Sequence, residues 1–392
     1  MTERPGAAPV ADSPNRRAGA DELLVVEDLR TYFDVMDGTV QAVDGVSFTL
    51  PKGTSIGIVG ESGSGKSVTA LTVMRLLEMP PARIPSGSIT LEGRELLALS
   101  EDQMRGVRGG EIAMIFQEPM TSLNPVFTIG YQIGEAVKEH LDVGNAEANE
   151  RAIAALAQVG MSSPERRVKQ YPHELSGGMR QRAMIAMGLS CQPKMLIADE
   201  PTTALDVTVQ AQILDLIRAS QAKLGMALML ITHDLGVVAE MVDHVAVMYA
   251  GRVVEAGPVE EIFTSPRHPY TQGLLESMPT RARRGERLRV IKGSVPNPFN
   301  MPKGCNFAPR CPARFEPCIA HDPQLQSVDA TAENQIACWL YAEPPRNDAA
   351  VADTQARTGA RAGAQAGAGA QAGVGAQAGA ADASGQSTED AS

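Results

Sequence analysis

Residues Gly60-Glu61-Ser62-Gly63-Ser64-Gly65-Lys66-Ser67 form a G-x-x-x-x-G-K-S octet, and these residue types suit the holding of a polyphosphate. Glycines let backbone N–H groups wrap phosphate oxygens, Lys66 reaches the outer phosphates, and the Ser67 hydroxyl can ligate Mg²⁺. Gly60, Ser62, Gly63, Gly65, Lys66 and Ser67 are therefore the candidate phosphate and metal contacts. A second pair with chemistry to offer is Asp199-Glu200, which ends the apolar run Met195-Leu196-Ile197-Ala198. Asp199 suits the Mg²⁺ shell through water, and Glu200 suits polarising an attacking water. A third candidate lies in Leu175-Ser176-Gly177-Gly178-Met179-Arg180-Gln181-Arg182. Small residues at a helix start, here Ser176, Gly177 and Gly178, leave N–H donors open to an anion.

Such groups work only if secondary structure aims them at one place. The run Ile56 to Val59 predicts a buried strand leading into the octet, and Val68 to Leu77 a helix leading out of it, whose positive end adds to the anion site. Met195 to Ala198 predicts a second strand, with its acidic tip facing the phosphates. A carboxylate at a strand end is often only a helix cap, and the phosphate loop upstream favours the catalytic reading. From Leu23 to roughly Phe263 strands and helices alternate, as a parallel-sheet nucleotide-binding fold requires.

The order of these motifs resembles the ATP-binding cassette (ABC) ATPases. That resemblance implies an α/β P-loop NTPase fold, with a RecA-like core, a β-subdomain, a helical subdomain at about 117–187, and here a small Cys-rich C-terminal extension. It also implies roles for further residues. Gln117, in Met114-Ile115-Phe116-Gln117-Glu118-Pro119, matches the Q-loop glutamine that senses the metal site. Ala204-Leu205-Asp206 matches the D-loop, and His233 in Ile231-Thr232-His233-Asp234 matches the switch histidine that holds the γ-phosphate. In the family, the Ser176-Gly177-Gly178 helix start binds the γ-phosphate held by an opposite subunit, so ATP joins two chains. The family pattern makes Phe33 the candidate platform for adenine, with Tyr32 as the neighbour that could replace it.

Composition narrows the functional class. The chain has 392 residues and a net charge of -11, which argues against nucleic acid as a partner. No apolar run is long enough to cross a bilayer, so a membrane role has to go through partner chains. Arg16-Arg17 is not read as an export signal, because the apolar stretch behind it is short and enters the first predicted strand. The organisation expected is a disordered tail at 1–21, an ATPase domain at 22–263, an extension at 264–345 and a disordered Ala/Gly/Gln-rich tail at 346–392. An Ala-rich amphipathic run from Glu147 to Val159 fits the helical subdomain.

The extension sharpens the resemblance. His268-Pro269-Tyr270-Thr271, Gly273-Leu274-Leu275, Gly304-Cys305-Asn306-Phe307 and Arg310-Cys311-Pro312 are similar to the C-terminal region of ATPases from oligopeptide and dipeptide permeases. The stretches Pro119 to Pro125 and Ser176 to Met187 resemble the D-type subunit, whose F-type sister usually carries Gln in place of Met179. Implied with this are a sister ATPase, two membrane permeases, an extracytoplasmic peptide-binding protein and a place on the cytoplasmic face of the membrane. The cargo implied is a peptide, with nickel or another small solute as the alternative. A soluble ABC ATPase acting on DNA or ribosomes is the rival, and it lacks support here: the chain has neither a long coiled-coil insertion nor a second cassette.

Four of five cysteines, Cys305, Cys311, Cys318 and Cys338, fall in the extension with x5, x6 and x19 spacings. Such a quartet can hold a [4Fe-4S] cluster or a structural Zn²⁺, or can simply be four packed thiols. The lack of a C-x-x-C pair makes a zinc ribbon less attractive, and some members of the family carry an iron-sulfur cluster on this pattern. Cys191 is expected to be core. The basic cluster Arg281, Arg283, Arg284, Arg287, Arg289 and Lys292 is read as a solvated face in preference to a lipid or partner contact.

Overall fold

The structure is a computed structural model and describes residues 21–117, 122–203, 205–278, 290–328 and 333–342. Ala204, residues 118–121, most of the basic cluster and both expected tails, apart from Asp21, lie outside the described residues.

Two sheets carry the chain. The first holds β1 (Glu22–Val35), β2 (Gly38–Pro51), β4 (Ala82–Leu91) and β5 (Arg94–Glu95) in the antiparallel order β2-β1-β4-β5. The second contains β3 (Ser55–Val59), β6 (Ile112–Ile115), β7 (Met195–Asp199), β8 (Ala227–Ile231), β9 (His244–Tyr249), β10 (Arg252–Pro258), β11 (Gln326–Ser327) and β12 (Gln335–Ile336). Its order is β11-β12-β10-β9-β3-β8-β7-β6, and the five strands from β9 to β6 are parallel.

Strands β3, β7 and β8 are buried at every position, as expected of parallel strands covered on both faces. The pleat then sorts their side chains between two cores. Ile56, Ile58, Met195, Ile197, Ala227, Met229 and Ile231 face the antiparallel sheet, while Val59, Leu196, Ala198, Leu228 and Leu230 face the helices on the other side.

The first helix, α1 (Lys66–Val73), packs beneath the antiparallel sheet, and α2 (Glu101–Val107) begins at a Ser100 capping box closed by Gln103. α1 stops four residues short of the expected end at Leu77. Arg75 adopts a left-handed backbone (φ 51°), and its guanidinium donates to the carbonyls of Leu96 and Leu99. The apolar periodicity runs past a point where that anchored residue turns the chain.

Between β6 and β7 lie α3 (Ile129–His140), α4 (Asn145–Gln158), α5 (Pro164–Arg167) and α6 (Gly177–Leu189). Ile133, Val137, Ala148, Ala152 and Leu156 form the contact face of α3 and α4 within the helical-side core. Cys191 follows α6, half-buried, with its thiol against the Ala136 carbonyl at 3.6 Å. After β7 come α7 (Val207–Leu224), α8 (Leu235–Met241) and α9 (Val259–Thr264).

The expected boundary at 263/264 is a change in composition and not in packing. Beyond it, α10 (Pro269–Glu276) and α11 (Glu316–Ala320) belong to the extension, yet β12 adds antiparallel to β10 through Glu255↔Ile336 and Ala256↔Gln335. Tyr249 of β9 packs against Tyr270 and Phe307 of the extension. Arg252 also ion-pairs with both Asp44 of β2 and Asp322 of the extension.

Candidate nucleotide site

The site assembles because parallel strands end at one sheet edge. Register pairs Ile58 with Ile231, Asp199 with Ile231, and Ala198 with Ile115. The four chain segments that follow therefore start side by side, and they hold Gly60 to Ser67, Glu200, His233 and Gln117.

Steric fit explains two of the glycines. Gly60 has φ 151°, and a Cβ there would sit 2.1 Å from the Met248 carbonyl oxygen. Gly65 has φ 100°, and its Cβ would sit 2.3 Å from the Ala42 carbonyl oxygen. At these two positions the loop presses backbone against backbone, which only glycine permits. Ser62 and Gly63 lie exposed at the crest of the loop.

Lys66 is buried and donates to the carbonyls of Gly60 (2.9 Å) and Glu61 (3.0 Å). Burial lowers its ammonium pKa, against the opposing pull of Glu200, Asp199 and Glu61. Ser67 Oγ donates to Asp199 Oδ1 at 3.0 Å, so the two oxygen donors expected to share a metal ion are adjacent. Burial pushes the Asp199 carboxyl up, and a divalent cation held by these hard oxygen donors would relieve that penalty.

Glu200 is the hub. Its backbone is left-handed (φ 45°) and its N–H donates to Ile231 O at 2.8 Å. Its carboxylate accepts from Gln117 Nε2 at 3.1 Å and from Thr203 Oγ1 at 2.8 Å, and it faces His233 Nδ1 at 3.2 Å. Burial opposes its ionisation, but the Thr203 and His233 contacts, with Lys66 nearby, outweigh it and hold the carboxyl below the usual range. A carboxylate so held is ionised at neutral pH and fixed in direction.

Other expected residues are placed elsewhere. Ser176 caps α6, its Oγ accepting from Met179 N at 3.4 Å, and Ser176 and Gly177 are exposed. A Cβ on Gly178 would meet Val209 Cγ1 at 2.9 Å, so Gly178 also serves the packing of α6 on α7. Asp206 caps α7, its Oδ1 accepting from Val209 N at 3.0 Å. No hydrogen bond among the described residues joins Ser176, Gly177, Gly178 or Asp206 to the phosphate loop.

Tyr32 and Phe33 are neighbours on β1 and point to opposite faces. The Tyr32 hydroxyl donates to Asp44 at 2.7 Å and the Arg83 guanidinium covers its ring, so Tyr32 is already engaged. Phe33 pairs across the strands with Val40 and Ala82 and is half-buried.

Sequence reasoning missed Thr203 and Gln181. The buried Gln181 side chain donates to Pro201 O at 2.6 Å, tying α6 to the turn after Glu200. Neither carried a signal of its own, although both stand inside or beside motifs already singled out.

In the extension, Cys305, Cys311, Cys318 and Cys338 line one cavity with Phe307, Pro323 and Trp339, and none is in a disulfide. Burial pushes the Cys305 thiol up to about 12 and the Cys338 thiol up to about 11. Among the described residues, no three His, Cys, Asp or Glu side chains come close enough to share a single metal ion.

Comparison with known proteins agrees with this geometry. Residues 43–203 match the ABC transporter family, and residues 254–318 match the oligopeptide/dipeptide transporter C-terminal region. The Bacillus subtilis oligopeptide transport ATP-binding proteins AppD and OppD are each 51% identical to the chain, over 82% of it and over 97% and 92% of their own lengths. The dipeptide transport ATP-binding protein DppD of the same organism is 49% identical over 82% of this chain and 95% of its own. Among solved structures, the ATP-binding cassette MJ0796, as a dimer in a post-hydrolysis state bound to ADP and Pi, matches the fold with a TM-score of 0.55 at 22% identity, over 60% of this chain and 99% of that one. The Clostridium perfringens protein cbiO1, part of the ABC transporter complex cbiONQ, matches with a TM-score of 0.54 at 28% identity, over 62% of this chain and 92% of its own. Relatives half identical along nearly their whole length, together with a transporter-specific match in the extension, settle the membership: the chain belongs to the ATP-binding proteins of oligopeptide/dipeptide ABC transporters.

Proposed function

We propose that this chain binds and hydrolyses MgATP to energise import of oligopeptides or dipeptides, working from the cytoplasmic face of the membrane. The observation that carries the hydrolytic part is the Glu200 carboxylate, held by Gln117, Thr203 and His233 beside the Lys66 loop. In this reading Glu200 takes the proton of the attacking water. Lys66 and His233 stabilise charge on the γ-phosphate, Ser67, Asp199 and Gln117 hold the substrate's magnesium, and Phe33 backs the adenine.

The exposed α6 start supports a shared site. With Ser176 and Gly177 open to solvent and unconnected to their own phosphate loop, they are free to receive the γ-phosphate held by a second ATPase chain, with Asp206 at the same junction. A sister D/F-type pair on two permeases, fed by an extracytoplasmic binding protein, is the assembly this implies. Among the described residues no helix is long and apolar enough to cross a membrane.

The test is to trap tagged Glu200→Gln with MgATP, extract membranes in detergent and identify the chains that co-purify. Two permeases, a sister ATPase and a peptide-loaded binding protein are expected. A binding protein carrying nickel would change the cargo, and soluble partners alone would overturn the transport reading.

Thr203 supplies a finer prediction. Thr203→Ala removes a donor that lowers the Glu200 pKa, so that pKa rises and the acid limb of the kcat profile moves to higher pH. Turnover near neutral pH should fall roughly threefold to tenfold, the effect of one hydrogen bond. An unmoved acid limb would separate Thr203 from Glu200.

For the cysteine cavity we propose a [4Fe-4S] cluster held by Cys305, Cys311, Cys318 and Cys338. The four cysteines line that one cavity and none is in a disulfide, and thiolate sulfur is the donor such a cluster takes. When bound, the cluster would staple four points of the extension. Anaerobically prepared protein should contain iron and be brown, and Cys311→Ser should lose both. Iron-free, colourless wild-type protein would leave four packed thiols.

A further inference from the structure

The extension reaches the phosphate loop at Glu61. The Tyr270 hydroxyl accepts the Glu61 N–H at 2.9 Å, and Arg310 Nη1 meets Glu61 Oε2 at 2.9 Å. Both braces are closed off from water: Tyr270 is fully buried and the Arg310 side chain is 6% exposed.

Each is itself held. Tyr249, Tyr270 and Phe307 pack as an aromatic trio with ring centroids 4.7 to 5.4 Å apart. The Arg310 guanidinium lies 5.7 Å from the Tyr249 ring centre and donates to the carbonyls of Lys292 (3.2 Å) and Ile291 (3.3 Å). A guanidinium fixed on several sides does not follow Glu61; it dictates where Glu61 sits. The far end of the loop is tied less directly. Asn306 Nδ2 donates to Ala250 O at 3.0 Å, and the adjacent Gly251 N–H donates to Ser64 O at 3.0 Å.

These contacts bear on a polyanion in two ways. The Glu61 N–H is committed to Tyr270, which fixes the peptide orientation from which the rest of the loop's N–H groups are set. The Glu61 carboxylate is a negative charge in a loop built for phosphate, and Arg310 neutralises it and holds it in place.

We infer that Tyr270 and Arg310 are positioning residues for nucleotide binding, so that the extension sets the affinity of the phosphate loop through Glu61. This rests on the reading of the Gly60–Ser67 octet as the MgATP site.

The test measures MgATP binding and steady-state kinetics on the full chain, the kinetics in the assembled complex. Arg310→Ala leaves an unpaired carboxylate beside the phosphates, and affinity should fall about tenfold, seen as a raised KM with little change in kcat. Glu61→Gln in that background removes the exposed charge and should restore affinity to within about threefold of wild type. Loss of a purely structural contact would not be rescued in this way. Arg310→Lys keeps the charge but not the planar fork and should fall between. Tyr270→Phe keeps the ring packing, removes only the acceptor, and should weaken binding about fivefold; it carries the test where Arg310→Ala fails to fold.

Folded variants that bind MgATP like wild type, or a double variant no better than Arg310→Ala, would overturn the brace. Wild-type protein that binds no MgATP would instead overturn the nucleotide reading on which the brace rests.

Discussion

Glu200→Gln keeps MgATP bound and loses about two orders of magnitude or more of turnover, the contribution expected of a general base. The amide has the shape of the carboxylate and leaves the left-handed backbone at Glu200 and the Glu200 N–H to Ile231 bond untouched. It cannot take a proton. Its NH₂ group also meets a ring of partners, Gln117, Thr203 and His233, arranged around an acceptor. Binding and chemistry should therefore separate, with the nucleotide trapped and not released. The check is ATPase rate beside equilibrium MgATP binding, both in the assembled complex. Wild-type turnover in the variant would remove Glu200 from the role.

Gly60→Ala should abolish nucleotide binding, through the fold and not through the charge. The new Cβ would meet the Met248 carbonyl oxygen at 2.1 Å, and Met248 is backbone of β9, whose neighbour Val247 is in register with Val59. Neither strand can yield without breaking the centre of the sheet. With a disfavoured φ added to the clash, a loss on the order of 3 kcal/mol or more is expected, read as a lowered denaturant midpoint. Gly63→Ala is the internal comparison. Gly63 also has a left-handed φ, of 78°, but a Cβ there meets nothing within 4 Å, so only backbone strain of about 1 kcal/mol remains. Equal stability of the two alanine variants would show that the Met248 approach is not what fixes the loop.

Much of this site was legible because its signals are local. Gly60 to Ser67, Asp199-Glu200 and His233 each follow a short apolar strand, and the rule that parallel strands deliver their C-terminal ends to one edge does the rest. The Ser67–Asp199 and Glu200–His233 contacts are what that rule anticipates. What was not legible depends on distance along the chain. Glu61 finds its partners 209 and 249 residues away, at Tyr270 and Arg310, and neither side chain looks like nucleotide machinery in the sequence. The end of α1 was misplaced because the left-handed turn at Arg75 is fixed by carbonyls from another loop. The extension looked separable because its Pro, Arg and Cys content changes at residue 264, and composition does not report that β12 joins β10.

That last pairing has a consequence for how the molecule keeps itself from its neighbours. Without β12, strand β10 would offer free N–H and C=O groups beside buried Val253 and Val254, an open template on which another chain could add. The extension closes that edge with two strands of only two residues each, β12 and then β11, too short to be templates themselves. The extension that reaches the phosphate loop through Tyr270 and Arg310 thus also covers the sheet edge, through the different residues Gln335–Ile336 and Gln326–Ser327.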